Sequence, residues 1–153
     1  MAYGDATVHA IDEAMAEVAQ TTIPAEIKKD FDVGGRSPFE WQDLEQSTKD
    51  KKARYGGDPR ILVDGHEPDP VQLKDGFVFD VEKEGEATWV VYVSNIAISA
   101  RTGKNKWWLH YDGHAGMYPQ RVSGQLCDEA VELVRQRLNE LVKEKRDALL
   151  AST

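Results

Sequence analysis

The chain has 153 residues, a net charge of −8 and a single cysteine, Cys127. That length holds one domain with a real core and no disulfide framework. No apolar run approaches the roughly 18 residues of a membrane helix, no leader pattern opens the chain, and an acidic balance argues against nucleic acid as a partner, because phosphate attraction dominates such affinity.

At 41 % hydrophobic and 30 % charged residues, the composition is that of a globular protein, with the cytoplasm as its expected location. The charge is unevenly spread. Residues 61–100 carry −6, whereas residues 101–122 carry +3 from four basic residues and one acidic residue. A local positive patch of that size can meet an anionic group or an acidic partner.

In chain order, Asp5 to Gln20 reads as a helix capped by Asp5, with Val8, Ile11, Met15 and Val18 as its apolar stripe. A short helical turn follows Pro24 over residues 25–30, and Gly34–Gly35 reads as a flexible joint. Residues 1–35 are therefore an N-terminal helix and joint, either an arm or part of the core. Residues 36–153 form a single α+β domain.

Ser37-Pro38-Phe39-Glu40 has the form of a capping box, with Ser at the cap, Pro at the first helical position and Glu at the third. It predicts a second helix that ends at Gly56–Gly57. Residues 60–63 and 71–73 have the character of short strands. Phe77, Phe79 and Val81 alternate with Val78, Asp80 and Glu82, the pattern of a half-buried strand. Residues 88–98 form a β-branched and aromatic run, with Trp89, Val91 and Val93 on one face and Val90 and Tyr92 on the other. Lys106 to Tyr111 is the last expected strand. If it is extended, Trp107, Leu109 and Tyr111 share one face, and Trp108, His110 and Asp112 the other.

From Ser123 or Gly124 to about Leu150 the apolar residues recur at helical spacing: Cys127, Val131, Val134, Leu138, Leu141 and Leu149. Such a helix is about 40 Å long, longer than a four-strand sheet is wide. A C-terminal end that overhangs its own core leaves Leu141, Leu149 and Leu150 in need of a partner, and a homo-oligomer supplies one. The expected fold is thus α+β: a three- to five-strand antiparallel meander, with N-terminal helices and a long C-terminal helix packed mainly on one face.

Two readings of function come from residue chemistry. The stretch KWWLHYDGHAGMYP (106–119) is dense in aromatic residues and lies in the basic part of the chain. As a hairpin it would present Arg101, Lys104, Lys106, Trp108, His110 and Tyr118 to a protein partner, with Trp108 as anchor. This makes a non-enzymatic interaction module the leading reading: an inhibitor, an immunity-type protein or an assembly subunit.

The alternative is a metal-dependent hydrolase. Asp64-Gly65-His66 and Asp112-Gly113-His114 each end an expected strand, and with His110 they could gather ligands for a divalent ion. Against this, no H-E-x-x-H or C-x-x-C occurs. A third reading is a small-ligand pocket between the sheet and the last helix. No G-x-G-x-x-G, P-loop or G-x-S-x-G is present, so no cofactor and no nucleophilic serine are expected.

Overall fold

The computed structural model describes residues 1–63, 71–100, 102–113 and 120–153. Within them the order of elements is α1 (Tyr3–Gln20), α2 (Thr22–Val33), α3 (Gln46–Arg54), a 3₁₀ turn (Leu73–Asp75), β1 (Phe77–Lys83), β2 (Trp89–Asn95), α4 (Lys106–Tyr111) and α5 (Asp128–Ala151). The α+β class, the N-terminal helices and the long C-terminal helix match expectation. The sheet does not. Among the described residues it is a single antiparallel pair, β1–β2, rather than three to five strands.

The hairpin follows its sequence pattern closely. Phe77 pairs with Asn95, Phe79 with Val93 and Val81 with Val91. These odd-numbered residues face inward, while Val78, Asp80, Glu82, Tyr92 and Ser94 are exposed. Ala14, Val18, Ile23, Ile27, Phe79 and Leu141 form the core beneath the hairpin, joined by Val91, Val93, Leu138 and Val142. One face of the two strands thus lies on helices, and the other is open.

Three expected strands are absent for identifiable reasons. Residues 60–63 form turns, and Leu62 sits at φ 59, in left-handed backbone that a strand does not use. Leu73 lies in the 3₁₀ turn with its side chain fully buried. Lys106–Tyr111 is helical because the Asn105 side chain accepts hydrogen bonds from the Trp107 and Trp108 backbone N–H groups. That is a side-chain N-cap, and it closes the first turn of a helix.

The helices also depart in detail. α1 starts at Tyr3, two residues before Asp5, with no side-chain cap. Its buried stripe is Ala6, Ala10, Ala14 and Val18, while Val8 is 52 % exposed. Alanines at every fourth position let α5 approach closely. α2 is a full twelve-residue helix, because Ile23, Ile27 and Phe31 recur at i,i+4 and are all buried. Pro24 falls in its first turn, where a missing N–H costs nothing.

The Ser37 capping box does not start a helix. Phe39 N–H bonds to Arg36 O and Trp41 N–H to Gly34 O, which makes a turn. Trp41 is then buried edge-on to Phe31, ring centroids 5.0 Å apart, and its Nε1 donates to Val122 O at 2.7 Å. Burial of that indole outweighs the local helix signal, and α3 begins only at Gln46.

Gly34–Gly35 is a fixed corner and not a loose joint. Both N–H groups bond to Asp30 O, with Gly34 at φ 80. Arg36 then turns back onto α2. Its Nε donates to Asp30 Oδ1 at 2.8 Å, its Nη1 to Glu26 Oε2 at 3.1 Å and its Nη2 to Glu26 O at 2.8 Å. Both carboxylates are buried. Burial raises the Asp30 carboxyl above its usual range, against the lowering pull of Arg36. For Arg36 burial acts downward, but hydrogen bonds to Asp30 and Glu26 raise it overall.

A second ion group pins residues 58–60 to α2. Arg60 forks onto Asp58 and also pairs with Asp32. The Arg60 hydrogen bond drives the Asp58 carboxyl down to about 2 from 3.8. A depressed acid contributes stability above its unfolded value, and that stability is lost as pH falls through the folded one. Asp58→Asn should therefore cost about 1 kcal/mol at neutral pH, screened as such a partly wetted pair is. The difference from wild type should vanish between about pH 4 and pH 2. Urea melts across that range decide it, and a pH-independent difference would remove the ion pair as its cause.

Cys127 caps α5: its Sγ accepts from Ala130 N–H at 3.3 Å. The helix starts at Asp128, four or five residues later than expected. Leu141 is 3 % exposed within the chain's own core. Leu149 and Leu150 are half-buried, and Arg146 stacks over Tyr3 of α1 at 4.9 Å. The stripe that was expected to call for a second copy is met, at Leu141, by α1, α2 and the hairpin.

Candidate functional site

An apolar cleft of about 590 Å³ opens beside β2. Val91 and Val93 form one wall, and Ile23 and Ile27 of α2 lie at its floor. Trp107, Trp108 and Tyr111 of α4 form the opposite wall, and residues 124–126 close it on the approach to α5. α5 itself contributes nothing, so the cleft lies between the hairpin and α4 and not between the sheet and the last helix.

The α4 wall is rigid because Trp107 is anchored on three sides. Its ring meets Phe77 edge-on at 5.8 Å and Tyr111 at 5.7 Å, and its Nε1 donates to Ser123 O at 2.9 Å. Gly124 makes the close approach possible. At φ 77 its backbone is left-handed, and a Cβ there would stand 2.8 Å from the Phe77 ring and 3.1 Å from Trp107. Gln125 donates to the Tyr111 hydroxyl, which sets a polar group at the rim.

Trp108 is the opposite case. It is 62 % exposed at the mouth of the same cleft, the most exposed aromatic side chain among the described residues. A bare indole beside an apolar cavity is the arrangement that gives large contact energy per residue at interfaces.

Two of the four basic residues in 101–122 do not lie on the surface. Lys106 is 8 % exposed and Arg121 6 % exposed, so both point inward. Arg121 donates to the backbone carbonyls of Gln42 and Asp43, and burial lowers its guanidinium from the usual range. Lys104 is exposed, His110 is half-buried and Asp112 is exposed. Arg101 and Tyr118 lie outside the described residues, as do Asp64, His66 and His114 of the metal alternative. Among the described residues no group of three or more His, Cys, Asp or Glu is placed to hold a metal. The hairpin that does form carries acid, with exposed Asp80, Glu82, Glu84 and Glu86.

Sequence reading singled out Trp108 but missed most of the cleft. Ile23, Ile27 and Leu126 come together only through tertiary packing, though the i,i+4 spacing of Ile23, Ile27 and Phe31 was a usable signal for α2. Asn105 before an aromatic run was the signal for α4.

Comparison with protein-family models, with curated proteins and with solved structures finds no match. The site therefore rests on its own geometry. It belongs to a small α+β domain with an aromatic cluster beside a β-hairpin. Among the described residues, no helix is long and apolar enough to cross a membrane.

Proposed function

We propose that this protein is a non-enzymatic interaction module that captures a partner protein at the cleft beside β2, with Trp108 as the main anchor. The observation that carries this reading is the exposed Trp108 at the mouth of an apolar cavity whose α4 wall is anchored through Trp107. A preorganised wall costs little ordering entropy on binding. The cleft lining is apolar side chains and Gly124 plus Tyr111 and Gln125, which suits burial of apolar side chains better than proton or group transfer. Inhibitor, immunity-type and assembly roles all use such a surface.

Affinity capture from the native host, with wild type and Trp108→Ala side by side, tests it. A partner held by wild type should be lost from the variant by about thirtyfold in affinity, the equivalent of about 2 kcal/mol. Equal capture by two equally folded proteins would rule out Trp108 as the anchor.

A further inference from the structure

The hydrogen-bond parity of the hairpin shows what kind of segment the cleft beside it can take. Glu84 N–H donates to Thr88 O at 2.8 Å, and Ile96 N–H to Gly76 O at 3.0 Å. With Phe77 opposite Asn95, these bonds fall on the even-numbered residues. Val90, Tyr92 and Ser94 therefore direct their N–H and C=O groups at β1. Trp89, Val91 and Val93 direct theirs away from it. The outward groups elsewhere are used: Phe79 O accepts from Gln20 of α1 at 2.9 Å, and Asn95 O accepts from Asn105 at 2.7 Å. No described residue makes a backbone hydrogen bond to the outward groups of Trp89, Val91 and Val93.

The side chains of Val91 and Val93 line the cleft. An unpaired strand edge thus runs beside an apolar cavity that starts on the inner face of that same strand. We infer that the occupant is an extended segment of a partner protein, which adds a third strand along β2 and seats alternate apolar side chains in the cleft. Main-chain bonds to the edge would supply affinity, and the cavity under it would select the side chains.

Charge defines the other face of that segment. Its outward side chains would lie beside Val90, Tyr92 and Ser94, and about two strand spacings, roughly 10 Å, from Asp80 and Glu82. Those two carboxylates are exposed, and Glu84 and Glu86 follow at the hairpin end. Lysine or arginine side chains can reach across that distance, so the segment alternates apolar with basic residues. A second copy of this chain is disfavoured as occupant, because pairing two β2 edges brings two acidic hairpins together on a chain of net charge −8.

This inference rests on the reading of the cleft as a protein-binding site, and its test separates the two. The full chain is titrated with a short capped peptide that alternates valine with lysine, and with the same peptide N-methylated on alternate backbone nitrogens. Backbone amide exchange is followed by NMR. The Val91 and Val93 amides should exchange at least about tenfold more slowly with the first peptide, while Tyr92, already bonded to β1, changes little. Methylation of the edge-facing nitrogens should weaken binding by roughly tenfold or more. Asp80→Lys with Glu82→Lys should weaken the unmethylated peptide without changing the fold.

Perturbation of the Trp108 indole with unchanged Val91 and Val93 exchange would overturn strand addition and leave the interaction module standing. Slowed exchange that depends on protein concentration alone would assign the edge to a second copy and overturn the proposal. Binding by neither peptide also overturns it, and the Trp108→Ala capture experiment then decides the interaction reading by itself.

Discussion

Arg36→Met is expected to destabilise the fold by about 3–5 kcal/mol at neutral pH, the usual consequence of stranding buried charge. Arg36 is the guanidinium between two buried carboxylates, Glu26 and Asp30, and it also bonds the Glu26 carbonyl. Lys29 would remain beside Glu26 at 2.7 Å, but it is exposed and touches only the far oxygen. Asp30 would lose its one ionic partner. Its carboxyl is already raised by burial, and without Arg36 it rises further. An acid raised in the folded state favours folding below its unfolded value near 3.8 and disfavours it as pH rises through the folded value. The variant's deficit should therefore shrink as pH is lowered from 7 toward about 4. Guanidinium-free denaturation by urea at both pH values measures this. A deficit of equal size at both would mean that Arg36 acts through packing alone. Adding Asp30→Asn and Glu26→Gln should restore much of the lost stability, because the uncompensated charges are then gone.

How much of this was legible depends on the range over which each signal acts. The hairpin was readable because Phe77, Phe79 and Val81 alternate with exposed residues, a period that one buried face imposes directly. α5 was readable because its stripe repeats over many turns. α4 was misread because six residues of aromatic and apolar character satisfy a two-residue period as well as a helical one. Only Asn105 Oδ1, on two backbone N–H groups, separates them. The Ser37 motif is a true local signal that lost to a tertiary one. The Trp41 indole is buried against Phe31 and bonded to Val122, a contact 81 residues away that no window could contain. The cleft was illegible for the same reason. Its walls come from α2, β2, α4 and residues 124–126. Lys106 and Arg121 were misplaced for a different reason: counting charge along residues 101–122 treated both as surface, and both are buried.

Trp107→Ala is expected to cost about 3–5 kcal/mol of stability, whereas Trp108→Ala, one residue on, should change it by no more than about 0.5 kcal/mol. The two indoles share a helix turn but not an environment. Trp107 packs on Phe77 and Tyr111, lies under the left-handed Gly124 and spends its N–H on Ser123 O. Its removal empties the space that holds α4 against β1, and it leaves the Ser123 carbonyl without its donor. Trp108 stands 62 % exposed and supports nothing beneath it. Trp107→Phe should recover part of the loss, since it keeps the ring contact with Phe77 but not the hydrogen bond. Thermal and urea unfolding of the three variants gives the ranking. If Trp108→Ala is the more destabilising, Trp108 belongs to the core and cannot be the anchor of the cleft. If the predicted order holds, a loss of partner binding in Trp108→Ala is a loss of contact. The same loss in Trp107→Ala reports the collapse of the wall on which that contact depends.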